Sequence, residues 1–201
     1  HTSGVHGPEA LAPLAEVGFS CGALHPLQTV ASPEQGVTAL RGSAFAVTAE
    51  GPAAEWATEI VRAAQGWALA IPADRRVCYH AAAVLASNCF AALLDAAVIL
   101  MNAAGVPARQ ALRALAPLAR TSCENALEAG PAEALTGPIR RGDVETVRRH
   151  WQALTSAAAG LRELYRACSL RMIELAQRQG LPPAVAARLE EVFRGGDRDD
   201  A

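Results

Sequence analysis

Ala68-Leu69-Ala70-Ile71-Pro72-Ala73-Asp74-Arg75-Arg76 is where the chain changes its pattern, and the fold follows from what lies on either side. Before Pro72 the apolar runs are short: 19–24, 45–48 and 68–71 read as strands, while helical spacing fills 8–17 and 53–65. Gly36, Gly42, Gly51 and Gly66 punctuate these segments at turns. Strands alternating with helices describe an α/β sheet. Too few strands are present for a complete doubly wound domain, so residues 1–73 read as an α/β remnant and 74–201 as an all-helical region.

Downstream of the boundary the segments lengthen. Asp74 suits the cap of a helix running to Ala104 and closed by Gly105. Pro107 sits near the first turn of the next helix, which Pro117 is expected to kink or divide. Gly130-Pro131 ends that region, 136–142 reads as an ordered loop, and Asp143 starts a helix that stops at Gly180. Val144, Val147, Trp151, Leu154, Ala158, Leu161, Tyr165, Cys168, Met172 and Leu175 alternate by threes and fours, a sustained heptad seam. It fits packing against the 74–104 helix or against a second subunit. Leu181-Pro182-Pro183 precede a short last helix through Phe193, and an acidic tail is expected from Gly195.

Composition bounds the partners. The 201 residues are 51% hydrophobic and only 4% aromatic, so the core is expected to come from closely packed helices. A net charge of -2 offers no footprint for nucleic acid or an anionic membrane. All basic residues are arginine, which excludes a catalytic lysine. Cys21, Cys78, Cys89, Cys123 and Cys168 are widely spaced and read as reduced, buried thiols of a cytoplasmic protein. The apolar stretch 79–104 carries His80, Asn88, Asp95 and Asn102, and reads as a buried helix of a soluble protein rather than a membrane span. His1-Thr2-Ser3-Gly4 resembles a strand running into a turn, so an upstream segment is expected.

Three polar clusters interrupt the apolar background. His25, Gln28 and Thr29 follow the 19–24 strand, where open sheets bind ligands, although spacing alone favours His25 as a simple strand cap bonded to backbone. Tyr79-His80, Ser87 and Asn88 open the long helix, with His80 and Ser87 on one face and Asn88 on its edge, a place for proton transfer and substrate orientation. Asn88, Asp95 and Asn102 also form a stripe that fits a wet groove or subunit contact. Thr121 and Asn125 are adjacent, and Arg140 with Arg141 suits either an anion or a surface ion-pair set with Asp143 and Glu145. No G-x-G-x-x-G, Walker A, C-x-x-C or H-E-x-x-H string occurs, and Cys21 with His25 lacks companion metal ligands.

Taken in order, four strings carry a resemblance. They are His1-Thr2-Ser3-Gly4; Leu24-His25-Pro26-Leu27-Gln28-Thr29; Tyr79-His80-Ala81-Ala82-Ala83 with Ser87-Asn88; and Leu135-Thr136-Gly137-Pro138-Ile139-Arg140-Arg141-Gly142-Asp143. Together they resemble an uncharacterised bacterial family that joins a Rossmann-like domain to a carboxyl-terminal domain of unknown function. The likeness extends through Leu154. It implies that 1–73 is the carboxyl-terminal part of a Rossmann-like NAD(P)-binding domain. It also implies that 74–201 is an all-α, dimerising domain like that of 6-phosphogluconate dehydrogenase. Pyrroline-5-carboxylate and ketopantoate reductases are implied kin.

The resemblance further implies a homodimeric oxidoreductase using NAD or NADP on a small carbonyl, imine or hydroxy compound. Thr2, Ser3, Gly4 and His25 would then lie on the cofactor side, with His80 as general acid or base and Asn88 as orienter. Gln28, Thr29, Ser87, Thr136, Arg140 and Arg141 would face the substrate. The glycine-rich turn for the pyrophosphate is not among these residues, so incomplete dinucleotide binding is expected. A non-catalytic helical dimerising module and a structural adaptor acting through the seam are the alternatives.

Overall fold

The computed structural model describes residues 1–194, which form two compact units divided between Leu93 and Leu94. In chain order the first unit contains α1 (Ala12–Glu16), β1 (Gly22–Pro26), α2 (Pro33–Ala39), β2 (Ala44–Ala49), α3 (Gly51–Ala63), β3 (Trp67–Ala70) and α4 (Arg76–Ala86). α5 (Asn88–Ala103) spans the division. The second unit continues with α6 (Ala108–Ala129), α7 (Gly137–Arg141), α8 (Val144–Ala157), α9 (Arg162–Arg178) and α10 (Pro183–Arg194).

The sheet has the order β1-β2-β3, with β2 antiparallel to β1 and parallel to β3. Ala44, Phe45 and Ala46 are all buried, as a middle strand covered on both faces requires. α3 connects the parallel pair and buries Ala57 and Val61, four residues apart and so on one face. On the free edge of β1, the His1 amino group donates to Gly22 O and Leu24 N–H donates to His1 O, each at 2.9 Å. The expected strand end at the start of the chain is therefore one residue aligned parallel to β1.

Several boundaries differ from the sequence reading. β1 begins at Gly22 rather than Phe19, whose side chain is exposed, and extends through His25 and Pro26. α2 was not expected, although Ser32 caps it through Gln35 N–H and Pro33 occupies its first turn. The helix expected over 74–104 is two helices. Asp74 sits in a 3-10 turn without capping, and Ser87 leaves helical geometry at φ -120°, ψ -70°. This run, Ala73–Ala103, is long and apolar enough to cross a membrane, yet only 11% of its most apolar window is buried. The expectation of a buried helix is thus overturned: Val77, Leu85, Phe90, Leu93 and Ile99 are exposed.

α6 runs unbroken through Pro117, and the stretch expected as a loop over 136–142 contains α7. None of the five cysteines is buried, and none forms a disulfide among the described residues. The tail from Gly195 lies outside the described residues.

The second unit is built on a seam that is fully buried only in its first half; farther along, Ala158, Leu161, Tyr165 and Met172 pack partly buried against the same core. Val144, Val147, Trp151 and Leu154 are buried along α8, which Asp143 caps by accepting from Thr146 N–H. The helix then stops, Ala158 takes φ -157°, and the chain restarts through a 3-10 turn into α9. The restart shifts the register, so Ser169, Ile173 and Ala176 are the fully buried positions of α9, and Cys168, Met172 and Leu175 are half-buried beside them. α9 and α10 supply the partner surface, with Ala186, Leu189 and Phe193 buried and Trp151 edge-on to Phe193 at 5.3 Å. Ile173 and Leu175 therefore separate the two registers. Ile173→Ala is expected to cost about 2–5 kcal/mol in chemical denaturation, and Leu175→Ala clearly less; a larger loss at Leu175 would restore the continuous seam.

Candidate functional site

The site is assembled by one arginine and one helix face. Arg76, Tyr79, His80, Ala83 and Ser87 follow one another by helical steps along α4 and its end. Arg76 is fully buried. Its guanidinium donates to Thr48 Oγ1 on β2 at 2.9 Å and to the Ser3 carbonyl. Its Nε has no partner, and no carboxylate lies within ion-pair distance of it among the described residues. The opening turn is otherwise closed locally, because Ser3 N–H donates to His1 Nδ1 and Ser3 Oγ accepts from Val5 and His6 N–H. Ser3 thus spends its N–H and hydroxyl on the turn, while Thr2 is exposed.

Gly4 is buried at the centre of the cluster. A Cβ built there would fall 2.4 Å from His80 Cδ2 and 3.0 Å from His25 Nε2. The His25 and His80 rings stand 6.0 Å apart, and Tyr79 OH lies 2.7 Å from His25 Nδ1. A cavity of about 800 Å3 opens beside them, lined by His25, Gln28, Thr29, Tyr79, His80, Ser87 and Asn88 among apolar residues such as Leu69 and Phe90. Thr29 and Ser87 hydroxyls meet at 3.0 Å. Gln28 lines the opening, but its amide bonds to Ala39 O, Ser43 Oγ and Thr29 N–H, so it mainly holds the loop.

Among the described residues, the lining contains no carboxylate. Burial holds the His25 imidazole below its ordinary range, and the nearby His80 and Arg76 push in the same direction. Burial raises the Tyr79 phenol, with Arg76 acting the opposite way. A second cavity of about 610 Å3, lined by Glu9, Cys21, Thr48 and Glu50, holds no histidine. The first is the better candidate because its titratable groups converge.

Thr136, Arg140 and Arg141 belong to the second unit and do not line this cavity. Arg140 Nε donates to Gln179 Oε1, while Arg141 and Thr136 are exposed. Asp95, Asn102, Thr121 and Asn125 are exposed as well. Sequence reasoning singled out neither Arg76 nor the pairing of Tyr79 with His25. The signal for Arg76 was its helical spacing to Tyr79 and His80 on the same face.

Two outcomes follow from this packing. Gly4→Ala should shift the NMR resonances of both His25 and His80, since the methyl has nowhere else to go; unchanged imidazoles would refute the close contact. A histidine whose folded-state pKa is depressed takes up protons more readily once unfolded, so its contribution to stability is complete above about pH 6.5 and declines with acidification. Melting temperature should therefore fall from pH 7 to pH 5, and His25→Gln should make that fall shallower.

The fold recurs in solved structures. Protein TM1727 from Thermotoga maritima superposes with a TM-score of 0.74 at 22% identity, over 89% of this chain and 68% of that one. The "putative NADP oxidoreductase BF3122" from Bacteroides fragilis superposes with a TM-score of 0.69 at 21% identity, over 87% of this chain and 64% of that one. The chain thus spans about two thirds of the length of these proteins. No curated protein matches the sequence. A family model does, across residues 43–172, and the chain belongs to that family, the domain of unknown function DUF2520.

Proposed function

We propose that this chain is the substrate-side part of an NAD(P)-dependent oxidoreductase acting on a small carbonyl, imine or hydroxy compound. The observation that carries the reading is the convergence of His25, Tyr79, His80, Ser87 and Asn88 on one opening at the carboxyl end of β1. The oxidoreductase description of the Bacteroides fragilis protein, whose fold this chain shares, supports it. On this reading 1–73 is the end of a Rossmann-like domain and 74–201 a helical domain of the 6-phosphogluconate dehydrogenase kind.

The residues present fit the nicotinamide end of such a cofactor. The cavity has the volume of a small-ligand site, and Gly4 brings bare backbone up to the two imidazoles. Thr2, Ser3, Gly4 and His25 would lie on that side. The sequence has no glycine-rich turn for a pyrophosphate. When bound, a reduced nicotinamide supplies hydride. Within the chain, His80 gives or takes the proton at the substrate oxygen or nitrogen, Asn88 orients the substrate, and Thr29 with Ser87 fixes the rim. Neither Arg140 nor Arg141 is needed for these steps, and a role for them or Thr136 as anion or cleft contacts belongs to the same proposal.

A homodimer formed through the helices is part of this reading. Ile99 on α5 and Leu112, Leu118 and Leu127 on α6 are exposed apolar side chains that a second copy would cover. Leu118→Glu should convert a dimer to a folded monomer in light scattering; an unchanged mass would reject this surface.

The catalytic assignment is tested in the complete gene product. His80→Ala should lower kcat by about 10²-fold or more while NADH and NADPH affinity, read by fluorescence titration, stays within experimental error of wild type. Absence of binding by either dinucleotide would overturn the oxidoreductase reading, and equal losses in turnover and affinity would remove His80 from proton transfer. The alternative of a non-catalytic helical module predicts no turnover with either cofactor.

A further inference from the structure

We propose that Tyr79 is a positioning residue that donates its phenolic proton to Nδ1 of His25, so that His25 presents a fixed Nε2–H to the cavity as hydrogen-bond donor for a substrate carbonyl oxygen. The donor side matters because a neutral imidazole has one N–H and one acceptor nitrogen, and the partner of one decides the state of the other. Tyr79 OH and His25 Nδ1 are 2.7 Å apart, and the rings meet edge-on with centroids at 5.6 Å. This is the phenol's hydrogen bond among the described residues. If Nδ1 carried the proton instead, the partly buried hydroxyl would have no protein acceptor for its own hydrogen. Donation from tyrosine to histidine satisfies both groups, and it leaves the imidazole proton on Nε2.

Nε2 has no protein hydrogen-bond partner among the described residues. It borders Gly4, and His25 lines the cavity wall. The charged or titratable groups facing the ring are Tyr79, His80 and Arg76, all from α4, and none is a carboxylate that would favour the imidazolium. A neutral imidazole N–H held in place beside a second histidine is suited to stabilising negative charge on oxygen as it develops. The chemical role rests on the oxidoreductase reading. There, a bound reduced nicotinamide would supply hydride to the carbonyl carbon, the C=O pair would pass to the oxygen, Nε2–H of His25 would hydrogen-bond to that oxygen, and His80 would supply its proton.

The test uses 15N NMR of the histidine rings in the complete gene product, without cofactor. Wild type should show His25 with an acceptor-type Nδ1 and a protonated Nε2 at neutral pH, and Tyr79→Phe should lose that bias while keeping the wild-type fold by circular dichroism. A wild-type ring protonated on Nδ1, or one with mixed tautomers, would overturn the proposal whether or not the variant folds; so would an unchanged ring in Tyr79→Phe. Kinetics then separate the roles: His25→Ala should lower kcat by about 10²-fold or more, and Tyr79→Phe by a smaller factor, with KM little changed in the latter. Full turnover in a Tyr79→Phe enzyme whose tautomer bias is gone would remove the donor role. Failure of dinucleotide binding would sink the oxidoreductase reading and leave the tautomer result intact.

Discussion

The guanidinium of Arg76 is the point on which the first unit turns. It is a permanent charge with no exposure and no carboxylate partner, anchored by a hydroxyl on β2 and the carbonyl of Ser3. Burying an arginine is costly unless its donors find acceptors. Here the acceptors come from a strand and from the opening turn, so satisfying the charge draws α4, the sheet and that turn together. Tyr79 and His80 then arrive one helical turn later beside His25 and Gly4, where the Tyr79 hydroxyl meets His25 Nδ1 at 2.7 Å. Thr48 is held in turn, donating to Ile71 O at 2.6 Å.

The sheet was largely legible in the sequence because its strands are short apolar runs bounded by turn residues. The buried run at 44–46 is the clearest case, while β1 was displaced toward its carboxyl end. Phe19 looks like a strand residue by type, yet the hydrogen bonds that define the strand are supplied by His1 and by β2, and these are long-range facts. The helical half was legible in its content and not in its breaks. Periodicity continues across Ala158 as a pattern of letters. Whether the helix also continues depends on packing, and doubling α9 back with α10 onto α8 buries Leu189 and Phe193, which a straight rod would leave without partners.

The candidate site was legible as a list and not as an arrangement. His25, His80, Ser87 and Asn88 stood out because polar residues are conspicuous in apolar surroundings, and all four line one cavity. Arg76 was hidden by ordinary expectation, since an arginine in a helical first turn next to Asp74 and Arg75 looks like solvated surface. Its neighbour Arg75 behaves that way, in an exposed pair with Asp74. One residue of difference in a 3.6-residue period turns one guanidinium outward and the next into the core.

The electrostatics of the cavity narrow the chemistry further. Arg76 contributes a fixed positive charge, burial pushes the His25 imidazole below its ordinary range, and among the described residues the lining offers no carboxylate to compensate. A protonated imine entering this space would meet like charge with no counterion among the described lining residues. A carbonyl compound meets the opposite situation, because its oxygen gains negative charge just where N–H donors and the guanidinium field are favourable. Within the oxidoreductase reading, the same buried arginine that assembles the site therefore makes a ketone or aldehyde a better match than an iminium ion.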